Sequence, residues 1–511
     1  MKVFLSKYKK LLFLCFLLVL IIVERIELLI NFGFEFIDSD QALMWYGAQE
    51  YMHGRFHEPC FFGQSYNSLL EAFLSVPFIS AGVAVRFALP VITSALALFP
   101  YIFSAILLFR KHFFAQAYMV LLILLLLPTE YGMLTTIPRG FVTGIFAVSF
   151  AYLTLIKPEN LKAIFSAGFF GMLGFALNPN SVLLIVPIWL FILQYNYKRI
   201  KAWMYFVSGV LPAAILFYLS KLFYVLHLEY DVHKQAPITY SYKWMLDSIQ
   251  SLDEYFIHIT PAFWANGSLI IILFTGIIIL LCYQKKWQLA LALLSGIAFA
   301  VVSLGVNKIH DGTESVFFSL GRMYLALPVL LAFFTSRLNI SLQKLSYLLI
   351  FLLAATSFTV KHISLKDKIA YNIAPERNHI INIAQREHLL HESEILAQTA
   401  KKYDASLLVL IDYYYADIVN YAGAILNPEL PATLKPLKER RTWVLQHEEN
   451  TLHKNILFLC LDSSLMRPYL QKETHISKIN EFTGLYLLTN NNEKTISLLR
   501  RLGIKIRPYK S

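Results

Sequence analysis

Long apolar runs recur through the first 360 residues of the chain, with short polar segments between them. A helix needs roughly 20 mostly apolar residues to cross a membrane, and on that basis the runs give eleven candidate spans. The candidates cover residues 11–30, 81–108, 114–128, 140–156, 163–177, 181–195, 202–224, 267–283, 288–305, 320–336 and 345–361. The pattern therefore predicts an α-helical polytopic membrane protein with about eleven transmembrane helices.

The short loops between alternate runs are basic, and they are 110–112, 157–162, 198–201, 285–286 and 337–344. Lysine and arginine accumulate in cytoplasmic loops, so we expect these loops and the N-terminus in the cytoplasm. On the opposite side we expect the tail from residue 362 and the loops 31–80, 129–139, 178–180, 225–266 and 306–319. These outer loops hold most of the acidic and histidine residues of the membrane part.

The composition changes after residue 361, where charges are spread among short apolar runs. Residues 1–361 are thus predicted to form a transmembrane domain, and 362–511 a soluble α/β domain on the periplasmic or extracellular side. The strands are expected at 405–411, 442–445, 455–461 and 484–489, and the helices near 376–402, 413–422 and 494–502. Neither a phosphate-binding loop nor a GxGxxG motif after a strand occurs, so nucleotide binding is not predicted.

Composition narrows the functional classes further. The net charge is +12, but the basic residues stand in short clusters between apolar runs, where they set topology, so nucleic acid is not an expected partner. The four cysteines lack CxxC spacing and indicate neither a metal site nor a disulfide framework. The lysines before the first apolar run resemble a signal-peptide start, but no small-residue cleavage site follows, which favours an uncleaved first helix.

Two carboxylates, Asp38 and Asp40, stand where the first apolar run ends. An ionisable group at such a boundary is a functional-site candidate, whereas the simpler interpretation makes Asp38 or Ser39 the N-cap of the next helix. The run 40–55 mixes aromatic and polar residues as an interfacial helix would. Both alternatives stay open on the sequence.

Several short motifs resemble GT-C glycosyltransferases that use polyprenyl-phosphate sugars, such as protein O-mannosyltransferases, aminoarabinose transferases and bacterial lipopolysaccharide glycosyltransferases. The motifs are Asp40-Gln41-Ala42, Ala48-Gln49-Glu50, Phe62-Gly63-Gln64-Ser65-Tyr66, Leu69-Leu70-Glu71-Ala72, Ile137-Pro138-Arg139-Gly140 and the segment 321–328. In that family an Asp-Glu pair ends the first transmembrane helix, and its Asp is the presumed base. Asp40 matches the Asp, while Gln41 stands at the Glu position and departs from the pattern.

The resemblance implies inverting transfer of a sugar from a polyprenyl-phosphate donor to a hydroxyl of a glycan, lipid or protein. The transfer would take place on the non-cytoplasmic side of the inner membrane. Asp40 would be the general base, with Asp38 as second choice. The donor phosphate would be bound by Arg139 and Arg322, with Lys308 and His310 behind them. Further candidates for the acceptor or donor pocket are Gln64, Tyr66, Glu71, Glu130, His233 and Tyr324.

Each of these assignments has a plainer alternative. Arg322 could be an interfacial arginine at a helix start, and Arg139 could form a salt bridge with Glu130. The spacing of His227, Asp231 and His233 invites a divalent metal, but a polar loop would look the same, so no cofactor is predicted.

Two other functions remain as alternatives. A glycan polymerase or ligase would use the same lipid-linked sugars and outer loops. A transporter or flippase for such lipids would be expected to carry ionisable groups near the midplane and internal repeats. The predicted spans are nearly free of charge and no repeat is visible, which favours the transferase.

Overall fold

A computed structural model describes residues 2–228, 230, 237–310, 315–341, 343–377, 383–411, 424–434, 451–460, 462–472, 475–479, 484–491 and 493–504. Most of these residues are helical. The α-helices of the membrane part are Lys2–Leu28, Ser39–Met52, Leu70–Ser80, Val85–Arg110, Phe114–Leu125, Thr129–Leu134, Thr143–Val148, Tyr152–Ile156, Leu161–Leu177, Val182–Tyr195, Ile200–Leu226, Tyr242–Gln250, Leu252–Phe256, Leu269–Tyr283, Trp287–Ser303, Asn307–His310, Ser319–Met323, Leu327–Thr335 and Lys344–Ile373. A π-helical turn, Leu29–Gly33, extends the first helix, and 3₁₀ turns occur at Ser149–Ala151, Pro179–Ser181, Ile257–Ile259 and Pro375–Arg377.

The expected count of eleven spans is wrong. Among the described residues, the helices long and apolar enough to cross a membrane are Val85–Arg110, Ile200–Leu226 and Leu345–Ile373, and eight other apolar helices have 10 to 17 residues. At 1.5 Å per residue even 17 residues reach only about 26 Å, short of the roughly 30 Å hydrocarbon core. The chain is thus a helical membrane protein with fewer full-length spans than its hydropathy suggests.

The miscount has a physical cause, because hydropathy sums apolar residues whether or not their backbone is helical. The run 140–156 is divided into Thr143–Val148, a 3₁₀ turn and Tyr152–Ile156. The run 320–336 is likewise divided between Ser319–Met323 and Leu327–Thr335. Each run thus forms a helical stretch shorter than the apolar sequence that predicted it, 143–156 and 321–335 in place of 140–156 and 320–336.

Charged side chains connect the first helix with the last long helix, contrary to the expectation of nearly charge-free spans. Lys361 is buried, lies 2.6 Å from Glu24 Oε1, and donates to the carbonyl oxygens of Leu125 and Leu127 at 2.7 and 3.1 Å. Arg25 donates to the Gly132 carbonyl oxygen at 3.1 Å. Because these charges are satisfied by one another and by backbone, they join helices rather than border an open passage.

The C-terminal domain contains a mixed five-stranded sheet. After the short strands β1 (Phe36–Ile37) and β2 (Ala384–Gln385), which pair with each other, its strands are β3 (Leu407–Leu410), β4 (Ala432–Leu434), β5 (Asn455–Leu459), β6 (Ile476–Lys478) and β7 (Leu485–Thr489). Their order in the sheet is β4-β3-β5-β7-β6. Strand β3 pairs in parallel with β4 and β5, whereas β7 is antiparallel to both β5 and β6. The helices of this part are Arg386–Lys402, Ala424–Leu426, Ser463–Lys472 and Thr495–Arg501.

Most sequence predictions for this domain are confirmed where the structure describes it. Strands occur within 405–411, 455–461 and 484–489, and helices within 376–402 and 494–502. The predictions at 413–422 and 442–445 lie outside the described residues. Strands β4 and β6 were not predicted, since three-residue strands carry too little alternation to be recognised. The helix Ser463–Lys472 was not predicted either.

The C-terminal domain packs against the first outer loop. Strand β1 (Phe36–Ile37) pairs antiparallel with β2 (Ala384–Gln385), and Arg386 Nη2 lies 3.2 Å from Glu35 Oε1. One hydrophobic cluster also joins the two regions, with Leu43 and Ala48 from the helix Ser39–Met52 and Leu396 and Leu408 from the domain. This contact brings the first outer loop and the tail together, and the side of the membrane on which both lie stays a prediction from the loop charges.

Candidate functional site

The helix Ser39–Met52 begins with a capping box. Asp38 is its N-cap: Oδ1 accepts from the Gln41 backbone N–H at 2.9 Å, and the Gln41 side-chain oxygen accepts from the Asp38 N–H at 3.0 Å. Two helix-end donors are satisfied reciprocally in this way. The N-cap alternative is therefore confirmed for Asp38, and Gln41, the departure from the family pattern, has a structural role.

Asp38 also forms a buried ion pair with Arg139. Arg139 Nη2 donates to Asp38 Oδ2, and Nη1 donates to the Phe317 carbonyl oxygen at 2.7 Å. The side chains are only 3% and 1% exposed. Burial raises the pKa of Asp38, while the guanidinium of Arg139 acts in the opposite direction. The alternative pairing of Arg139 with Glu130 is wrong, because Glu130 lies 3.1 Å from Lys368 instead.

Further hydrogen bonds extend this ion pair into a buried polar layer, defined here as Asp38, Gln41, Asn67, Glu71, Arg139, Gly140 and Asn178. The Gly140 N–H donates to Glu71 Oε2 at 2.6 Å, and Asn67 Nδ2 donates to the Arg139 carbonyl oxygen at 2.8 Å. Asn178 Nδ2 donates to the Gly140 carbonyl oxygen at 3.1 Å. Three separate segments of the chain are fixed to one another by these bonds.

Gly140 is required at its position in the layer. Its φ is 78°, in the left-handed region, and an added Cβ would lie 2.2 Å from Asn67 Oδ1. Glycine alone meets both conditions without strain. The Pro-Arg-Gly step found in the sequence therefore has a local structural reason, independent of any ligand.

A cavity of about 220 Å³, called here the Asp40 cavity, adjoins this layer. Five of the predicted site residues line it together, and they are Asp40, Gln64, Tyr66, Lys308 and Arg322. They come from the first outer loop and from two later segments, so only the fold brings them together. Arg139, in contrast, does not line the cavity but lies in the layer next to it.

The cavity wall combines one carboxylate with two cations. Asp40 is half-buried, and its charge interacts with that of Arg322. The Arg322 guanidinium lies 4.7 Å from the ring centre of Phe318 and 5.2 Å from that of Phe141. Lys308 Nζ lies 4.9 Å from the ring centre of Tyr66. Cations stacked on aromatic rings keep their charge near an apolar surface, which suits an anionic group attached to a hydrocarbon chain.

Three asparagines that sequence reasoning missed also line the cavity: Asn67, Asn178 and Asn180. Asn180 Nδ2 donates to the carbonyl oxygens of Phe141 and Arg322 at 3.0 and 3.2 Å, which fixes the backbone that carries Arg322. The available signal was the sequence Asn178-Pro179-Asn180, a polar step between two apolar runs. Phe61, Phe141, Pro179, Ile238 and Met323 complete the lining.

The other predicted residues lie elsewhere. Tyr324 is buried, with its hydroxyl 3.0 Å from that of Ser303, and His310 Nε2 donates to the Leu304 carbonyl oxygen at 2.8 Å. Glu71 belongs to the buried polar layer, and Glu130 lines a second cavity described below. His233 lies outside the described residues.

The suggested metal site gains no support. Asp231 and His233 are outside the described residues, and the His227 ring packs 4.4 Å from that of Phe223. Within the described ranges, no three His, Cys, Asp or Glu side chains are grouped as metal ligands.

Known proteins offer no guide to this site, since no protein-family model and no curated protein match the chain. The GT-C resemblance therefore stays a prediction from short motifs.

Proposed function

We propose that the protein is a membrane glycosyltransferase of the GT-C type, which transfers a sugar from a polyprenyl-phosphate donor to an acceptor hydroxyl. The observation that carries this proposal is the lining of the Asp40 cavity, where a carboxylate faces the same space as Lys308 and Arg322. A reaction between a hydroxyl and a lipid-linked sugar phosphate needs a base and cations in one place. The outer loops and the C-terminal domain would lie outside the cytoplasm, with the protein in a bacterial inner membrane.

Asp40 would act as general base. The acceptor oxygen attacks the anomeric carbon with inversion, its proton passes to Asp40, and the bond between that carbon and the phosphate oxygen breaks. A positioned base typically contributes a rate factor of about 10² to 10⁴. The aspartate is half-buried, and its charge interacts with that of Arg322 on the same cavity wall.

Arg322 and Lys308 would stabilise the departing polyprenyl phosphate, whose negative charge grows as the glycosidic bond breaks. A guanidinium offers two parallel donors to phosphate oxygens, which a lysine ammonium does not. We assign a different role to Arg139, whose donors bind Asp38 and Phe317. It would position the start of the helix that carries Asp40.

The experiment compares the purified protein, reconstituted in liposomes, with its Asp40→Asn variant. Radiolabelled polyprenyl-phosphate hexose, N-acetylhexosamine and pentose are supplied with envelope glycans and glycolipids as acceptors, and label transfer is measured. We expect one donor to be used and Asp40→Asn to reduce its transfer at least about 100-fold. Asp247→Asn, an exposed aspartate outside the cavity lining, is the matched control and should keep wild-type activity.

Two outcomes would contradict the proposal. Transfer that survives Asp40→Asn unchanged would remove the assigned base. Movement of labelled donor across the liposome membrane without any transfer would favour the transporter or flippase alternative instead.

A further inference from the structure

A second cavity, of about 560 Å³, lies apart from the Asp40 cavity and has no part in the proposed sugar transfer. Its walls come from the short helix Thr129–Leu134, the 3₁₀ turn Ile257–Ile259 and the polar end of the helix Lys344–Ile373. A concave space of this size, lined by several polar groups, is typical of a binding site for a small molecule or headgroup.

Part of the wall is fixed by internal contacts. Glu130 Oε1 lies 3.1 Å from Lys368 Nζ and 3.4 Å from Asn372 Nδ2. Arg377 Nη1 donates to the Tyr371 hydroxyl at 2.7 Å, and its guanidinium carbon lies 4.2 Å from the centre of that ring. A guanidinium has five N–H donors, and this bond uses one of them. The arginine is thus oriented while it keeps donors for a ligand.

The wall carries charges of both signs. Glu254 and Asp367 line the cavity in addition to the paired Glu130 and Lys368, with Arg377 as a further cation. A purely anionic ligand would be repelled by the carboxylates, and a hydrocarbon would desolvate every charge without compensation. A ligand with one anionic and one cationic group can pair with both the cations and the carboxylates of the wall.

The position of the cavity indicates where such a ligand comes from. One wall is the polar end of a helix long and apolar enough to cross a membrane. Tyr371 on that helix is 55% exposed, and Trp264, next to the lining residue Phe263, is 59% exposed. Tyrosine and tryptophan concentrate at the headgroup level of membranes. The two exposed aromatic side chains would suit the headgroup level of a membrane, where zwitterionic phospholipids present their headgroups.

We propose that this second cavity binds the phosphoethanolamine headgroup of a phospholipid. The phosphate would accept hydrogen bonds from Arg377, and the primary ammonium would donate to the carboxylates of Glu254 and Asp367. The acyl chains would extend along the apolar surface of the helix Lys344–Ile373. This inference does not depend on the proposed sugar transfer.

The occupant would also contact a wall that supports the Asp40 cavity. His258 lines the second cavity, is buried, and donates from Nε2 to the Gly321 carbonyl oxygen at 3.1 Å. Burial lowers its pKa to about 4, so the ring is neutral near pH 7 and keeps this tautomer. Gly321 directly precedes Arg322, so the headgroup would bind on the far side of the turn that holds the arginine.

The test is native mass spectrometry of the full-length protein, delipidated in detergent, with equimolar palmitoyl-oleoyl phosphatidylethanolamine, phosphatidylcholine and phosphatidylglycerol. We expect the ethanolamine lipid to be bound preferentially. The double variant Glu254→Gln/Asp367→Asn should reduce this preference about tenfold. The matched control is Glu387→Gln/Glu394→Gln, which removes two exposed carboxylates from the helix Arg386–Lys402 and should change nothing.

Equal binding of the three lipids would overturn the proposal, as would an ethanolamine preference that survives the double variant. Preferential binding of phosphatidylglycerol would show that the site selects an anion. Displacement of all three lipids by maltotriose would show that it binds a neutral saccharide. Each of these last two outcomes also contradicts the assigned headgroup. Arg377→Gln, which should weaken the ethanolamine adduct, checks the phosphate contact separately.

Discussion

The Asp40 cavity and the buried polar layer are built from the same kinds of side chain and from overlapping segments, but they use them differently. In the layer, Asp38 and Arg139 are almost fully buried and satisfy each other. In the cavity, Asp40 and Arg322 line a shared open space. Two aspartates only two positions apart thus lie in different surroundings. A buried ion pair fixes geometry, whereas charges that line a cavity face the space that a ligand would occupy.

The largest expected effect on stability comes from breaking the layer. Arg139→Met should destabilise the fold by about 3–5 kcal/mol, because it leaves Asp38 buried without its cation. Arg322→Met should lower the free energy of unfolding much less, since this side chain borders the cavity. Thermal unfolding of the purified variants in detergent measures both. Adding Asp38→Asn to Arg139→Met should recover part of the loss, and equal destabilisation by the two arginine variants would contradict the comparison.

A smaller effect is expected from Gly140→Ala. The new Cβ would meet Asn67 Oδ1 at 2.2 Å and force a left-handed conformation on alanine, at a cost of about 2 kcal/mol. The same thermal unfolding assay applies. Gly276→Ala is the control, because nothing lies within 4 Å of its added Cβ and its helix should tolerate or favour alanine. If Gly140→Ala left the unfolding temperature unchanged, the layer would be packed more loosely than its hydrogen bonds indicate.

The last effect depends on pH and concerns a buried carboxyl whose hydrogen-bond donors are uncharged. Glu58 Oε2 accepts from the Tyr224 hydroxyl at 3.0 Å, and burial raises the pKa of Glu58 from 4.5 to about 8. Since the folded state holds this proton more tightly, the stabilisation is complete below about pH 4.5 and is lost as pH rises through about 8.

The unfolding temperature should therefore fall between pH 5 and pH 8.5, and Glu58→Gln, which mimics the protonated acid, should flatten that decline. A pH profile identical in wild type and Glu58→Gln would show that Glu58 does not titrate in this range.

Much of the site was accessible from the sequence. The end of the first apolar run singled out Asp38 and Asp40, and the family resemblance selected Asp40. Loop charge predicted that Asp40, Lys308 and Arg322 lie on one side of the membrane, and the structure brings the three to one cavity. The asparagines at 67, 178 and 180 escaped notice. Amides in loops have no periodicity, and their roles follow from hydrogen bonds between distant segments.

The role of Arg139 could not be read from the sequence either. Its short motif suggested phosphate binding, and Glu130 was the nearest acid along the chain. Its actual partner, Asp38, is 101 positions away. Pairing through space depends on how the helices pack, and local sequence carries no record of it.

By itself the sequence determined the membrane class and the positions of the longer strands of the C-terminal sheet, because hydropathy acts locally and adds along the chain. Tertiary structure alone decided how many helices are long enough to cross a membrane and which of the two neighbouring aspartates is buried. It also decided which cations line the cavity with Asp40. These outcomes depend on where backbone helices break and on which distant groups satisfy a buried charge.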